Sequence, residues 1–380
     1  MKHYDFIFAG AGLSSLLTLH EMIVSQKFKG KTILLLDESA KNENDRTWCF
    51  WENEAGEFEP ILHKKWDTAV FANQDFTRDL ALHPYQYKML RAKDFYEQIF
   101  TSIARENNIT FLNQKVISYR EENEHVFVTT ATETFRGNKL FNSIFNIELI
   151  KNQRKYPLLQ QHFIGWFVRT KEAVFTPDKV IFMDFSVTQK GNTRFMYVLP
   201  ISENEALVEY TLFSKDVLSK QEYESEIVQY LKIKGVTEYE ILEKEQGNIP
   251  MTCYPFWKNN TKNIVNIGSA GGWTKASTGY TFKNSTKKAK QLVAFLSANS
   301  DFRKLHKTSV FWWYDLLFID VLYKNNALGN SLFSSLFKKG NPLLVFQFLD
   351  EETSILQDIR FILRCPKIPF VKALWDRVFS

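Results

Sequence analysis

One short pattern restricts this chain more than any other: an apolar run that meets two glycines and then becomes a helix. "YDFIFAG", "GLSSLLTLHEMIVSQ" and "KTILLLDES" read as strand, helix and strand, with both strands the continuous apolar runs that a parallel sheet buries. In such a βαβ unit Gly10 supplies the tight turn. Gly12 lets the backbone approach a pyrophosphate seated on the helix N-terminus. Ser15 stands where the dinucleotide fingerprint has its third glycine, and it is small enough to let helix and strand approach. Asp37 ends the second strand, where an acid accepts hydrogen bonds from the adenosine ribose. A second glycine-rich passage, "NIGSAGGWTKASTGYTF", places Gly268, Gly271 and Gly272 after another apolar strand. Two such passages, widely separated, suit FAD better than a nicotinamide dinucleotide alone.

Between these passages the period changes. "FIGWFVRT", "VIFMDFSV", "TRFMYVLPIS" and "EALVEYTLFS" are short strands separated by turns, an antiparallel sheet in its simplest reading, and a helix follows over 219–233. From 281 the pattern is helical. The expected fold class is α/β plus α+β. An FAD/NAD(P)-binding Rossmann-like domain (1–60, 86–158 and 245–290) is interleaved with an antiparallel-sheet substrate domain (61–85 and 159–244). A helical C-terminal region (291–380), with membrane contact, completes the chain.

With 34 Phe and 9 Trp among 380 residues, the chain has more bulky aromatic surface than packing requires, which points to a large apolar ligand. The formal net charge of +5 is scattered. Its one cluster, "KNSTKKAKQ" at 283–291, reads either as a solvated helix face or as a contact for anionic headgroups. No basic stripe interleaved with stacking aromatics speaks for nucleic acid. Cys49, Cys253 and Cys365 lack the spacing of a disulfide framework or a zinc site, so no metal is expected. A strand pattern beginning by Tyr4 leaves no room for a signal peptide, and a reducing, cytoplasmic compartment is expected. The apolar run "VFWWYDLLFIDVLY" is interrupted by Asp315 and Asp320 and is too short to span a bilayer, so any membrane contact is peripheral.

In order along the chain, "DRTWCFW", "FMYVLPISENEALVEYT", "IPMT" and "GSAGGWTKASTGYTF" resemble the lycopene cyclase family of carotenoid biosynthesis, its bacterial β-cyclase branch in particular. The resemblance implies an isomerase that folds the ψ ends of lycopene into β-ionone rings through γ-carotene to β-carotene. It also implies reduced FAD, with NAD(P)H as reductant, and substrates dissolved in the inner membrane. A true oxidoreductase on an isoprenoid, a hydroxylase or prenyl reductase, is the alternative, and a non-catalytic isoprenoid carrier is a third reading.

Cyclisation begins when an acid protonates a terminal alkene, so the site needs an acid, an apolar pocket and a base. On its strand alone, Glu209 reads as an ordinary outward-facing glutamate. Alternation sets it with Leu207 and Thr211, opposite Val208 and Tyr210, and the resemblance makes "VEYT" the position of the catalytic acid. Asp184 is a second candidate pocket carboxylate. Asp45, Arg46, Trp48 and Trp51 are expected at the flavin or the pocket. Phe182, Phe185, Tyr197, Trp273 and Tyr280 offer π faces to a cation, with core packing an equal reading for each. "FLDEETS" at 348–354 looks like an acidic plant-cyclase string but lies too late in the chain. Asp350, Glu351 and Glu352 are therefore read as a solvated helix start.

Overall fold

The computed structural model describes residues 1–379. Its first sheet has β1 (His3–Ala9) at the centre, flanked in parallel by β2 (Ile33–Asp37) and β11 (Thr134–Asn142). β8 (Ile109–Asn113) continues it beside β2, and β17 (Ile264–Asn266) pairs with the end of β11. β9 (Val116–Glu122) and β10 (His125–Thr130) add an antiparallel meander on the start of β11. The helices α1 (Leu13–Ser25), α2 (Ala92–Ile103) and α5 (Phe282–Leu296) cover one face, burying Leu16, Leu19, Phe95, Ile99 and Leu292 against it. The crossover β1–α1–β2 is the Rossmann-like unit that the apolar runs predict. A single turn, α3 (Glu148–Lys151), leads out of this layer.

The second sheet runs β16 (Tyr239–Met251), β12 (Leu159–Thr170), β15 (Glu205–Ser214), β14 (Thr193–Pro200), β13 (Lys179–Asp184), β5 (Thr68–Ala72) and β6 (Thr77–Ala81). It is antiparallel except where β13 meets β5. On one face, Val208, Tyr210 and Leu212 of β15 pack under α4 (Lys220–Ile233), whose N-cap Ser219 accepts the Glu222 N–H. The other face holds Leu207 and Phe213, and the C-terminal helices lie over it. These are α6 (Val310–Lys324), α7 (Gly329–Phe337), α8 (Pro342–Leu349), α9 (Ile355–Ile362) and α10 (Lys367–Phe379).

A third, three-stranded sheet, β3 (Thr47–Glu52), β7 (Gln86–Arg91) and β4 (Lys64–Trp66), joins the layers. Trp48 and Phe50 enter the core of the first sheet, and Trp51, Trp66 and Tyr87 the core of the second. β16 continues past the expected boundary at 244, which keeps Glu245 in the second sheet. Among the described residues no helix is long and apolar enough to cross a membrane.

Candidate active site

One cavity of about 1280 Å³ runs from the first sheet to the C-terminal helices. At one end lie Gly12, Ser14, Lys41, Asp45, Arg46, Ser143, Gly268 and Ser269. Gly10, at φ +93°, makes the turn out of β1, and Ala11 N–H is held by the Asp37 carboxylate at 2.6 Å. Asp37 also pairs with Lys41 at 3.4 Å. Gly12 caps α1 in an extended conformation, with no side-chain cap and no atom within 4 Å of where a Cβ would stand. The first amides of α1 therefore face open space, the arrangement that accepts a diphosphate. Gly268, at φ +61°, leaves just enough room for Ser14. This end fits a dinucleotide, with the α1 N-terminus, Lys41 and Arg46 placed to meet its phosphates.

Ser15 is fully buried in α1, facing away from this opening. Gly271 and Gly272 shape the turn behind Gly268: a Cβ on Gly271 would stand 2.1 Å from the Asn266 carbonyl oxygen. Neither lines the cavity.

The far wall is the second sheet. Glu245, Gly165, Glu209 and Tyr197 are direct partners on β16, β12, β15 and β14, so they form one row on one face. Glu209 is 6% exposed, between Leu207 and Thr211 on the cavity face as alternation requires. Among the described residues the only hydrogen-bond donor to its carboxyl is the Thr211 hydroxyl. Burial first, and the Glu245 charge second, push the Glu209 carboxyl up to about 8. A carboxyl held there is still protonated at neutral pH and can act as an acid.

Several cavity residues escaped the sequence reading, Lys41 among them, and two bear on the far wall. Glu245 accepts the Thr47 hydroxyl at 2.7 Å, and burial raises its carboxyl too, opposed by Thr47, Arg91 and Arg46. Its strand "YEILEKEQGNIPM" shows no apolar alternation, and only the following "IPMT" string marked the region. Tyr87 joins Tyr197 and Tyr280 through hydroxyl contacts of 2.7 Å each. Burial holds all three phenols above their usual range. Tyr197 and Tyr280 thus bring hydroxyls as well as π faces to the wall. Phe182 and Trp48 also line the cavity.

Several expectations need correction. Asp184 is 1% exposed but lies outside the cavity, hydrogen-bonded by Tyr230 at 2.9 Å and paired with Lys234 at 3.4 Å under α4. The reason is a register break in β13 between Ile181 and Asp184, which puts both Phe182 and Met183 on the cavity and turns Asp184 away. Phe185 and Trp273 are core residues, Phe185 against Phe333 and Trp273 beside Ile267 and Phe282. Trp51 stands behind Tyr280, its indole N–H donating to Asp350 at 2.8 Å.

The acids of 350–352 are not a solvated helix start. They follow the end of α8 and neutralise lysines: Asp350 with Lys283, Glu351 with Lys275 at 2.9 Å, and Glu352 with Lys287 at 2.7 Å. The 283–291 cluster is therefore largely an internal clamp, and burial pushes the Lys288 ammonium down.

At the third edge of the cavity stand Ile362, Cys365, Phe370, Val371 and Leu374 of α9, α10 and their connection. Around this mouth Ile355, Leu356, Leu363, Ile368, Trp375 and Val378 are at least 60% exposed.

The lycopene cyclase protein family matches residues 5–375. A lycopene beta-cyclase of Pantoea ananas is 24% identical over 315 residues, 77% of this chain and 74% of that protein. A chloroplastic neoxanthin synthase of Solanum lycopersicum is 26% identical over 294 residues, 73% of this chain, and the match spans only 57% of that protein's length. Among solved structures, a geranylgeranyl bacteriochlorophyll reductase-like protein from Thermoplasma acidophilum superposes with a TM-score of 0.62 at 12% identity, covering 99% of this chain and 100% of its own. A flavin-dependent brominase gives 0.59 at 13%, covering 99% and 100%. Similarity at that level shows the shared fold alone.

Proposed function

The chain belongs to the lycopene cyclase family, and on that footing we propose that it is a lycopene β-cyclase working without net redox change. The observation that carries this reading is Glu209, a buried, proton-holding carboxyl on the wall of a cavity otherwise lined largely by aromatic and aliphatic side chains. Its proton goes to the terminal double bond of a ψ end group. The neighbouring alkene closes the ring on the resulting tertiary cation, and loss of a ring proton leaves the β-ionone end. Phe182, Tyr197 and Tyr280 line the space where the cation forms, and their π faces stabilise it. The same walls keep out water that would trap it. Lycopene gives γ-carotene after one closure and β-carotene after two.

FAD is the cofactor assigned to the opening at α1, where the helix N-terminus, Lys41, Arg46 and the Gly268–Ser269 turn would hold it. Bound there in its reduced form, with NAD(P)H as reductant, it would supply negative charge that stabilises the cation. The substrate enters from the inner membrane on its cytoplasmic side, where the apolar collar of α9 and α10 rests peripherally in the interface. Arg360, Lys367 and Lys372 on the same helices suit anionic headgroups.

The test is incubation of the purified protein with lycopene in liposomes, anaerobically, with dithionite-reduced FAD. γ- or β-carotene is expected, and Glu209→Gln should lose at least ~100-fold in rate while retaining FAD. A hydroxylated or desaturated product with stoichiometric NADPH consumption would assign the chain to the oxidoreductases of this fold instead. Lycopene bound but never converted would mark a carrier.

A further inference from the structure

We propose that Glu245 is a positioning residue for Glu209: the two carboxyls hold a single proton between them, Glu209 carrying it and Glu245 carrying the negative charge. This rests on the cyclase reading for what the proton is used for, but the pairing itself comes from the sheet. Glu245 and Glu209 are both direct partners of Gly165, one on each side. A Cβ on Gly165 would lie 3.3 Å from Glu245 Cγ and 3.4 Å from Glu209 Cβ, so both side chains flank the one position in the row that has none. Any larger residue there would stand between the carboxyls.

The surroundings decide which carboxyl is charged. On the Glu245 side, Thr47 of β3 donates a hydrogen bond, and Arg46 and Arg91 lend positive charge. Glu243, on the same strand, is negative but is itself tied to Arg91 at 2.6 Å. Apart from Glu245, the described groups facing Glu209 are neutral: Thr211 on its own strand, Tyr197 on β14, and Cys49 and Tyr280 across the cavity. All the cationic compensation therefore falls on Glu245, and two ionised carboxylates side by side repel.

The arrangement explains how one site serves as both acid and base. The Glu209 O–H bond breaks as the substrate C–H bond forms, and the alkene closes the ring. The pair, now doubly ionised, takes up the proton released when the ring C–H bond breaks. One proton leaves, one returns, and no electrons are exchanged with a reductant.

Infrared difference spectra of the folded protein across pH, wild type minus Glu209→Gln, isolate the protonated Glu209 carboxyl band without any substrate. In the wild type the band should fade with a midpoint of about 8. Glu245→Gln should lower that midpoint by about one unit or more, because the neighbouring charge is gone, and the alkaline limb of cyclisation should move with it. Glu245→Asp, which keeps the charge, should hold the midpoint near the wild-type value. An unchanged midpoint in a folded Glu245→Gln overturns the pairing; if that variant does not fold, a Glu245→Asp midpoint lowered as far as a lost charge would lower it does the same. If the midpoints shift as stated while lycopene is never cyclised, the pairing stands and the proposed reaction falls.

Discussion

Glu209 should make this protein less stable as the medium becomes alkaline, and Glu209→Gln should remove that dependence. The unfolded chain releases this proton near 4.5, and the folded chain keeps it to about 8. Between those values the folded state binds more protons than the unfolded state, so stability is fully present below 4.5 and is lost as pH rises through 8. At roughly 1.4 kcal/mol for each unit, the window is worth on the order of 5 kcal/mol for a side chain this deeply buried. Glutamine has the shape of the protonated acid and can still accept the Thr211 hydroxyl, so at pH 5 the two proteins should differ by no more than about 1 kcal/mol. At pH 9 the variant should be the more stable by several kcal/mol. Urea unfolding at one-unit steps from pH 5 to 9 measures this, and taking the difference between the two proteins cancels the other titrating groups apart from Glu245. Parallel curves would show that Glu209 is not held protonated by the fold, and the acid assignment would lose its physical basis.

Gly268→Ala places a Cβ 3.0 Å from Ser14 Oγ at a left-handed backbone position. It should cost about 1–2 kcal/mol and weaken flavin retention, read as bound-flavin absorbance after desalting. Ile368→Glu with Trp375→Glu alters two side chains that are 83% and 62% exposed, so binding to anionic vesicles should fall sharply while the melting temperature stays put. Asp184→Asn should lower stability by about 1–3 kcal/mol through its partners under α4 and leave cyclisation near wild type. Lost activity at unchanged stability would return Asp184 to the cavity.

Much of the fold was legible because it depends on periods that the chain repeats locally. The runs at 6–9 and 33–36 bury every residue, as a central parallel strand must, and β15 divides cleanly into a cavity face and an α4 face. What was illegible depends on a break in the period or on a distant partner. Asp184 sits two residues after Phe182, which by alternation shares its face, and one register break reverses the assignment. Glu245 lies on an edge strand with solvent along much of its length, where burial does not call for apolar alternation. The lysines at 283 and 287 look solvated because their acids lie beyond residue 349, and neither charge reveals the other in the sequence.

The cradle and the row come from different sheets, and that separation shows how a fold shared with a reductase-like protein and a brominase could serve the redox-neutral reaction proposed above. A helix N-terminus facing open space selects a phosphate-bearing cofactor but says nothing about whether electrons leave it. The decision falls to the opposite wall. There, a carboxyl flanked by Leu207 and Gly165 has its proton retained by burial, and three linked phenols and the surrounding aromatics exclude water. Such a wall can protonate an alkene and shelter the cation. Substitutions along Glu245, Glu209 and Tyr197 should therefore slow or abolish the proposed cyclisation without changing what α1 binds. Substitutions at Gly12 or Gly268 should empty the cradle and leave the Glu209 titration in place.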